Sequence, residues 1–145
     1  MKALIQRVRY ARVSVDDECI GAIDAGMLVL LGVERNDGPE LLDRMAERLL
    51  NYRLFADSEG RMNASLRDTG GGLLLISQFT LAADTRKSLR PGFSTAAAPA
   101  DAQLIYNGLL DILVERHGAV AGGRFGADMQ VELLNDGPVT FLLEL

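Results

Sequence analysis

Residues 27–33 read MLVLLGV, an apolar run without one polar side chain. A strand with one wet face alternates apolar and polar residues. An unbroken run this short reads instead as a strand buried on both faces. Residues 73–83, LLLISQFTLAA, form a second such strand, with polar side chains only from Ser77 onward. A sheet buried on both faces needs further layers, and the rest of the chain supplies them. In NDGPELLDRMAERLLN the period changes: Leu41, Leu42, Met45 and Leu49 share one helical face. Pro39 suits the first helical position, Asp37 its cap, and Glu40 and Arg44 make an i,i+4 pair. PADAQLIYNGLLDILVERHG reads as a second helix opened by Pro99, with Leu104, Ile105, Leu109, Ile112 and Leu113 on one face. Gly118 closes it, with Arg116 and His117 in the last turn where cations are favoured.

Residues 3–15, CIGAI after a turn at residues 15–18, YRLFAD, MQVELL and VTFLLEL read as further strands. The expected fold is a mixed α/β single domain spanning residues 1–145. Its strands lie in packed sheets with two main helices on one side, a β/β/α layering. A chain of 145 residues is long enough for one real core.

Charge and composition narrow the function. The net charge is −5, which argues against strong non-specific nucleic-acid binding. A local basic patch exists nonetheless in TRKSLR, where Arg86, Lys87 and Arg90 occur with no acid. Cys19 is the one cysteine, so no internal disulfide forms and a cytoplasmic protein is expected. No apolar run has the length of a membrane span. The start, MKALIQRVRY, carries charges inside its apolar stretch and reads as a first strand, not a leader.

Side-chain acid–base chemistry is scarce. His117 is the one histidine and sits at a helix end, so a Ser-His-Asp triad is poorly supported. One His and one Cys make no metal cage, and neither metal nor cofactor is expected. TGGGLLL leads into a strand, whereas phosphate loops open helices. GGRFGAD fails the dinucleotide spacing. Asp16 and Asp17 fall in a turn and read as solvated.

Two segments remain. Around Phe79, a buried strand abruptly offers Ser77, Gln78 and Thr80. On a continuing strand Ser77 and Phe79 share one face, Gln78 and Thr80 the other. They are either a strand end satisfying loop backbone or a pocket floor whose unpaired N–H groups polarise a carbonyl. In LLNDGPVTFL, Gly137-Pro138 divides two strands. Asn135-Asp136-Gly137 would serve a turn without the proline, so either the bend must be stiff or its backbone has a task.

Together SQFTLAAD and NDGPVT resemble the two signature motifs of the bacterial D-aminoacyl-tRNA deacylases. The QRV start, NYRLFAD…GRMN, RPGFS and GRFGADMQV fit in order, so the resemblance covers the whole chain. It implies a cytoplasmic homodimer that hydrolyses the ester between a D-amino acid and the terminal ribose of tRNA, and clears glycine misattached to tRNA. Ser77, Gln78, Phe79 and Thr80 would line one side of a pocket at the subunit interface. Gly137-Pro138 of the other subunit would enter it with a cis peptide bond, which proline makes accessible, as a screen against L-residues. A backbone contact cannot reject glycine, which has no Cβ. The tRNA's own 2′-OH would assist the reaction, with backbone N–H groups near Gln78 and Phe79 steadying the developing charge. Phe125 and Met129 match pocket-lining positions. Arg7 either braces the Gly-Pro loop or is a surface arginine. Arg86, Lys87 and Arg90 would meet acceptor-end phosphates, or are simply solvated. Two other classes stay open: a non-catalytic oligomeric domain whose Gly-Pro bend seals a dimer, and an esterase using Thr80 or Ser77 as nucleophile.

Overall fold

The computed structural model describes residues 1–85 and 89–145. Its organising strand is β1 (Lys2–Val15). A tight turn at Asp16 and Asp17, both with positive φ (51° and 63°), returns the chain as β2 (Glu18–Ile23). Such φ values match the twist of a two-residue hairpin. β2 pairs with the second half of β1, and β3 (Gly26–Gly32) with the first half. β6 (Gly72–Ser77) runs parallel to β3, and β7 (Val120–Gly122) parallel to β6. Parallel neighbours require long crossovers. The first contains α1 (Leu42–Asn51), a small hairpin of β4 (Phe55–Ala56) and β5 (Met62–Ala64), and α2 (Leu66–Thr69). The second contains α3 (Pro99–His117).

β8 (Gln130–Glu144) follows the other edge of β1 along its length. Two strands divided by Gly137-Pro138 were expected; one strand carrying a bulge is found. Gln6 faces Thr140 and Val8 faces Asn135, so Arg7 alone stands opposite residues 136–139. Extra residues on one side of a ladder must leave its plane, and here they project as a loop.

The continuous apolar runs are buried on both faces, as expected. Met27, Val29 and Leu31 of β3, with Leu73 and Leu75 of β6, pack beneath α1 and α3. Leu28, Leu74 and Ile76 face a second core inside the curled sheet. β1 changes sides on the way: Ala3 and Ile5 join the helix-side core, Ala11 and Val13 the other. The switch occurs where Val8 pairs Asn135 but Ala11 pairs Leu133, one extra residue that reverses the parity. The curl nearly closes the sheet. A Cβ added to Gly21 of β2 would lie 2.9 Å from the carbonyl oxygen of Gly122 in β7. Each fully buried leucine of this core, Leu49 and Leu109 among them, stabilises the fold by about 1.5–3 kcal/mol relative to exposure.

Several local expectations are corrected. Asp37 does not cap α1. Its carboxylate takes the Glu34 N–H (2.6 Å) and the Met1 amino group (2.7 Å), and a 3-10 turn at Pro39–Leu41 precedes the helix. Leu104 of α3 is 71% exposed; the buried stripe runs through Ala102, Ile105, Tyr106, Leu109 and Leu113. His117 contacts the Gly71 carbonyl through Nε2 (2.6 Å), tying the end of α3 to the start of β6. Most relevant for the site, β6 stops at Ser77 and not at residue 83. After Gln78 the chain enters a 3-10 turn, Phe79–Ala82. That turn folds back over Gly32, where an added Cβ would sit 2.8 Å from Leu81 Cβ. The face assignment of Ser77 to Thr80 by strand alternation therefore fails beyond Ser77.

Candidate active site

The last pair joining β6 to β7 is Leu75 with Gly122. Beyond it the two chains part. β6 continues along β3 to Ser77, while the other segment swings out through Arg124 to Met129. A pocket of about 660 Å³ opens between them. Ile76, Ser77, Gln78 and Phe79 form one wall and residues 125–129 the opposite one; Ala102 and Tyr106 of α3 close the floor. Phe93, Ala96 and Ala97 supply a third side. They are held by an Ala97 N–H bond to the Val33 carbonyl (3.1 Å) and by the Thr95 hydroxyl bonding the Ala82 carbonyl. The walls are thus mostly apolar, with a few polar groups at the strand end, as small-molecule sites usually are.

Backbone donors arise from the change in conformation. The Gln78 N–H, expected to be a donor to substrate, is taken by the Leu31 carbonyl (2.7 Å). The first N–H groups of a helical turn have no acceptor within it, and here those belong to Phe79 and Thr80. Thr80 is exposed and does not line the pocket; its hydroxyl accepts from Gln78 Nε2 (2.6 Å), an amide with no basicity. Phe79 is 58% exposed, with its ring 5.1 Å from that of Phe93. Phe125 and Met129 both line the pocket, and Phe125 lies 6.0 Å from Tyr106, ring to ring. Ser77, Gln78, Phe79, Phe125 and Met129 are therefore brought together; Thr80 stands beside them.

Gly137 and Pro138 are elsewhere. Their peptide bond is cis, both residues are exposed, and neither lines the pocket of its own chain. Side chains hold the bulge rigidly. Arg7 Nε donates to the Asp136 carbonyl (2.9 Å) and Nη1 to the Leu54 carbonyl (3.1 Å). Asn135 Oδ1 accepts the Val139 N–H (2.8 Å), and its Nδ2 donates to Thr140 Oγ1 (2.9 Å). Arg7 is thus a brace of the bulge and not a wall of the pocket. Of the basic patch, Arg86 and Lys87 lie outside the described residues. Arg90 is exposed, two residues before Gly92, which bridges Asp84.

Residues 4–144 match the family model described as D-Tyr-tRNA(Tyr) deacylase. The chain belongs to that deacylase family. Its relatives include the D-aminoacyl-tRNA deacylases of Azotobacter vinelandii, 65% identical, and Stutzerimonas stutzeri, 62% identical. Each alignment covers 99% of both chains. Among solved structures, one titled c-Myc DNA Unwinding Element Binding Protein superposes with a TM-score of 0.95 at 40% identity, covering 100% of this chain and 99% of that one. A probable eukaryotic D-amino acid tRNA deacylase shares the fold, with a TM-score of 0.87 at 16% identity over 99% and 98% of the two chains. The mixed α/β architecture with a nearly closed sheet is therefore the deacylase fold.

Sequence reasoning missed one residue that shapes the pocket and one that shapes the bulge. Tyr106 lies in the second expected helix outside the apolar face assigned to it, yet it is buried and its hydroxyl reaches the strand ends. Asn135 reads as turn, yet it staples the bulge. A tyrosine in an otherwise aliphatic stripe was the available signal, because a buried phenol needs a polar partner.

Proposed function

We propose that this chain, as one domain over residues 1–145, is a D-aminoacyl-tRNA deacylase acting in the cytoplasm as a homodimer. Water adds to the ester carbonyl carbon, and the bond to the ribose oxygen then breaks, giving free D-amino acid and tRNA. The observation carrying this reading is a pair of incomplete halves within one chain of this family. One is a pocket with backbone donors at its rim. The other is a braced, outward-pointing Gly137-Pro138 bulge that its own pocket does not use. A second copy would supply the bulge to the pocket. Exposed apolar side chains Leu134, Phe141 and Leu142 on β8 favour such a cover. Among the described residues no helix is long and apolar enough to cross a membrane.

In this reading the Phe79 and Thr80 N–H groups steady the developing oxyanion. The tRNA 2′-OH assists by proximity. The partner's Gly-Pro backbone stands where the Cβ of an L-residue would go, a rejection by clash that passes D-residues and glycine alike. Arg86, Lys87 and Arg90 would take phosphates of the acceptor end. Among the described residues, the nucleophile reading for Thr80 has an amide and no base beside its hydroxyl to support it.

The test is hydrolysis of D-tyrosyl-tRNA by purified protein, with L-tyrosyl-tRNA and a terminal 2′-deoxy substrate alongside. Expected are release from the D-ester, little from the L-ester and much slower release from the deoxy form, with Thr80→Ala retaining substantial activity. Equal rates on both enantiomers would sink the screen. A dead Thr80→Ala with normal deoxy turnover would instead make Thr80 the nucleophile.

A further inference from the structure

We propose that the Tyr106 hydroxyl is a positioning group for the reaction: it sets the width of the pocket by clamping the two strand ends at the point where they part. The inference rests on the reading above, that the ester end of the tRNA occupies this pocket.

The geometry is specific. Tyr106 Oη accepts the Gly123 N–H (3.0 Å) and donates to the Leu75 carbonyl (2.9 Å), with the Gly123 carbonyl at 3.2 Å. Leu75 and Gly122 are the last paired residues of β6 and β7, so the phenol sits in the fork itself. Two residues beyond Leu75 is Ser77; two beyond Gly123 is Phe125. A shift at the fork moves the donor wall against the aromatic wall.

The neighbouring glycines leave room for this clamp. A Cβ at Gly122 would lie 3.1 Å from Tyr106 Oη. A Cβ at Gly123 would lie 2.7 Å from Met129 Sδ and 3.0 Å from Ile76 Cδ1, crowding both walls at once. Burial pushes the phenol above its ordinary range, though its bond with Gly123 opposes this. The hydroxyl therefore stays protonated, and both of its roles persist across the neutral range. The Gly123 N–H also reaches the Leu75 carbonyl (3.0 Å), so the fork survives without the phenol but is less narrowly fixed.

Tyr106→Phe keeps the ring and removes the clamp. Steady-state kinetics on D-tyrosyl-tRNA should show KM rising about fivefold to tenfold, the scale of one net hydrogen bond, with kcat within about twofold. A purely structural role would lower the active fraction, reducing kcat and leaving KM alone. That pattern, or unchanged kinetics with a lower Tm, would overturn the proposal. Gly123→Ala, which keeps the phenol but pushes Met129 and Ile76, should also raise KM; an unchanged KM there overturns it as well. Phe125→Ala separates the two layers of argument. If it raises KM and Tyr106→Phe does not, the clamp fails alone. If Phe125→Ala leaves KM unchanged, the occupancy of this pocket fails and the clamp with it.

Discussion

The pocket and the Gly137–Pro138 bulge are built in opposite ways. The pocket is a place where backbone pairing stops: β6 and β7 diverge after Leu75 and Gly122, and core side chains already present become its walls. The bulge is a place where extra chain is forced out of a ladder, residues 136–139 against Arg7. Of its residues Val139 alone reaches the core, so the shape of the rest depends on Arg7 and Asn135 bonding its backbone. A concave site comes with the core. A rigid projection needs dedicated polar braces, and each brace is a single point of failure.

The sharpest way to break this contrast is Gly137→Ala. Gly137 has φ 137°, which L side chains rarely adopt, and its new Cβ would lie 2.6 Å from Val139 Cγ2 and 3.2 Å from Arg7 Nη2. Such backbone strain costs about 1–3 kcal/mol. The bulge must therefore shift, and a displacement near 1 Å at a positioning element can cost about 100-fold in rate. The D-ester rate should fall by that order while circular dichroism stays native, because the clash touches one edge residue of the core, Val139, and none of the strands and helices that build the rest of it. A rate within a few fold of the parent would mean that the bulge does not act on substrate.

Arg7→Ala should have the next largest effect. It removes the donor from two carbonyls, Asp136 and Leu54, that are served by one guanidinium. Leaving such groups unpaired costs about 1–3 kcal/mol. Activity on the D-ester should drop about tenfold. Discrimination against the L-ester should weaken as well, because a loosened screen rejects less. Arg7→Lys should rescue little, since one ammonium cannot span both carbonyls. Unchanged discrimination would reduce Arg7 to a stabiliser of the β1–β8 edge.

These two residues show how far the sequence could be read. The doubly buried strands were legible because MLVLLG and LLLI admit one solution, and Pro99 and Gly118 bounded α3 correctly. The end of β6 was not legible. SQFTLAA keeps a strand-like composition, and what ends the strand is tertiary: the bare Gly32 that lets the next turn fold back. The β1 parity switch was hidden for a similar reason, since a bulge depends on pairing with a strand more than a hundred residues away. Gly137-Pro138 was conspicuous because proline is costly in a ladder. That it projects from one continuous strand was not, whereas the brace by Arg7 was one of the two readings its sequence position allowed. The short β7, in a glycine-rich stretch, carried no strand signal, and with it the fork and Tyr106 were missed.

The smallest expected effect separates the two regions by pH. Arg7, which braces the bulge, also bonds the Leu54 carbonyl at the entry to the β4–β5 hairpin, and Asp57 ties the loop of that hairpin. Its carboxylate accepts from Asn63 Nδ2 and from the N–H groups of Arg61 and Glu59, each at 2.9 Å. These bonds, Asn63's foremost, hold Asp57 below its ordinary value against the opposing effect of desolvation. A depressed carboxylate contributes stability that is present above its unfolded pKa, about 3.9. That contribution is lost as pH falls through the lower folded value. Tyr106 is the reverse case. Burial raises its phenol above 10.0, so its contribution is present below about pH 10 and lost as pH rises through the folded value. The bulge support should therefore loosen first in acid and the pocket clamp first in alkali, with neither changing near neutrality. Thermal midpoints measured from pH 3 to pH 11 give the readout. Asp57→Asn should make the acid limb shallower, with Glu34 and Asp68, also held below their ordinary values by their bonds, keeping part of its slope, and leave the alkaline limb; Tyr106→Phe should act on the alkaline limb alone. If either variant flattened both limbs, the pocket and the bulge would be one cooperative unit, and the contrast between them would not extend to their stability.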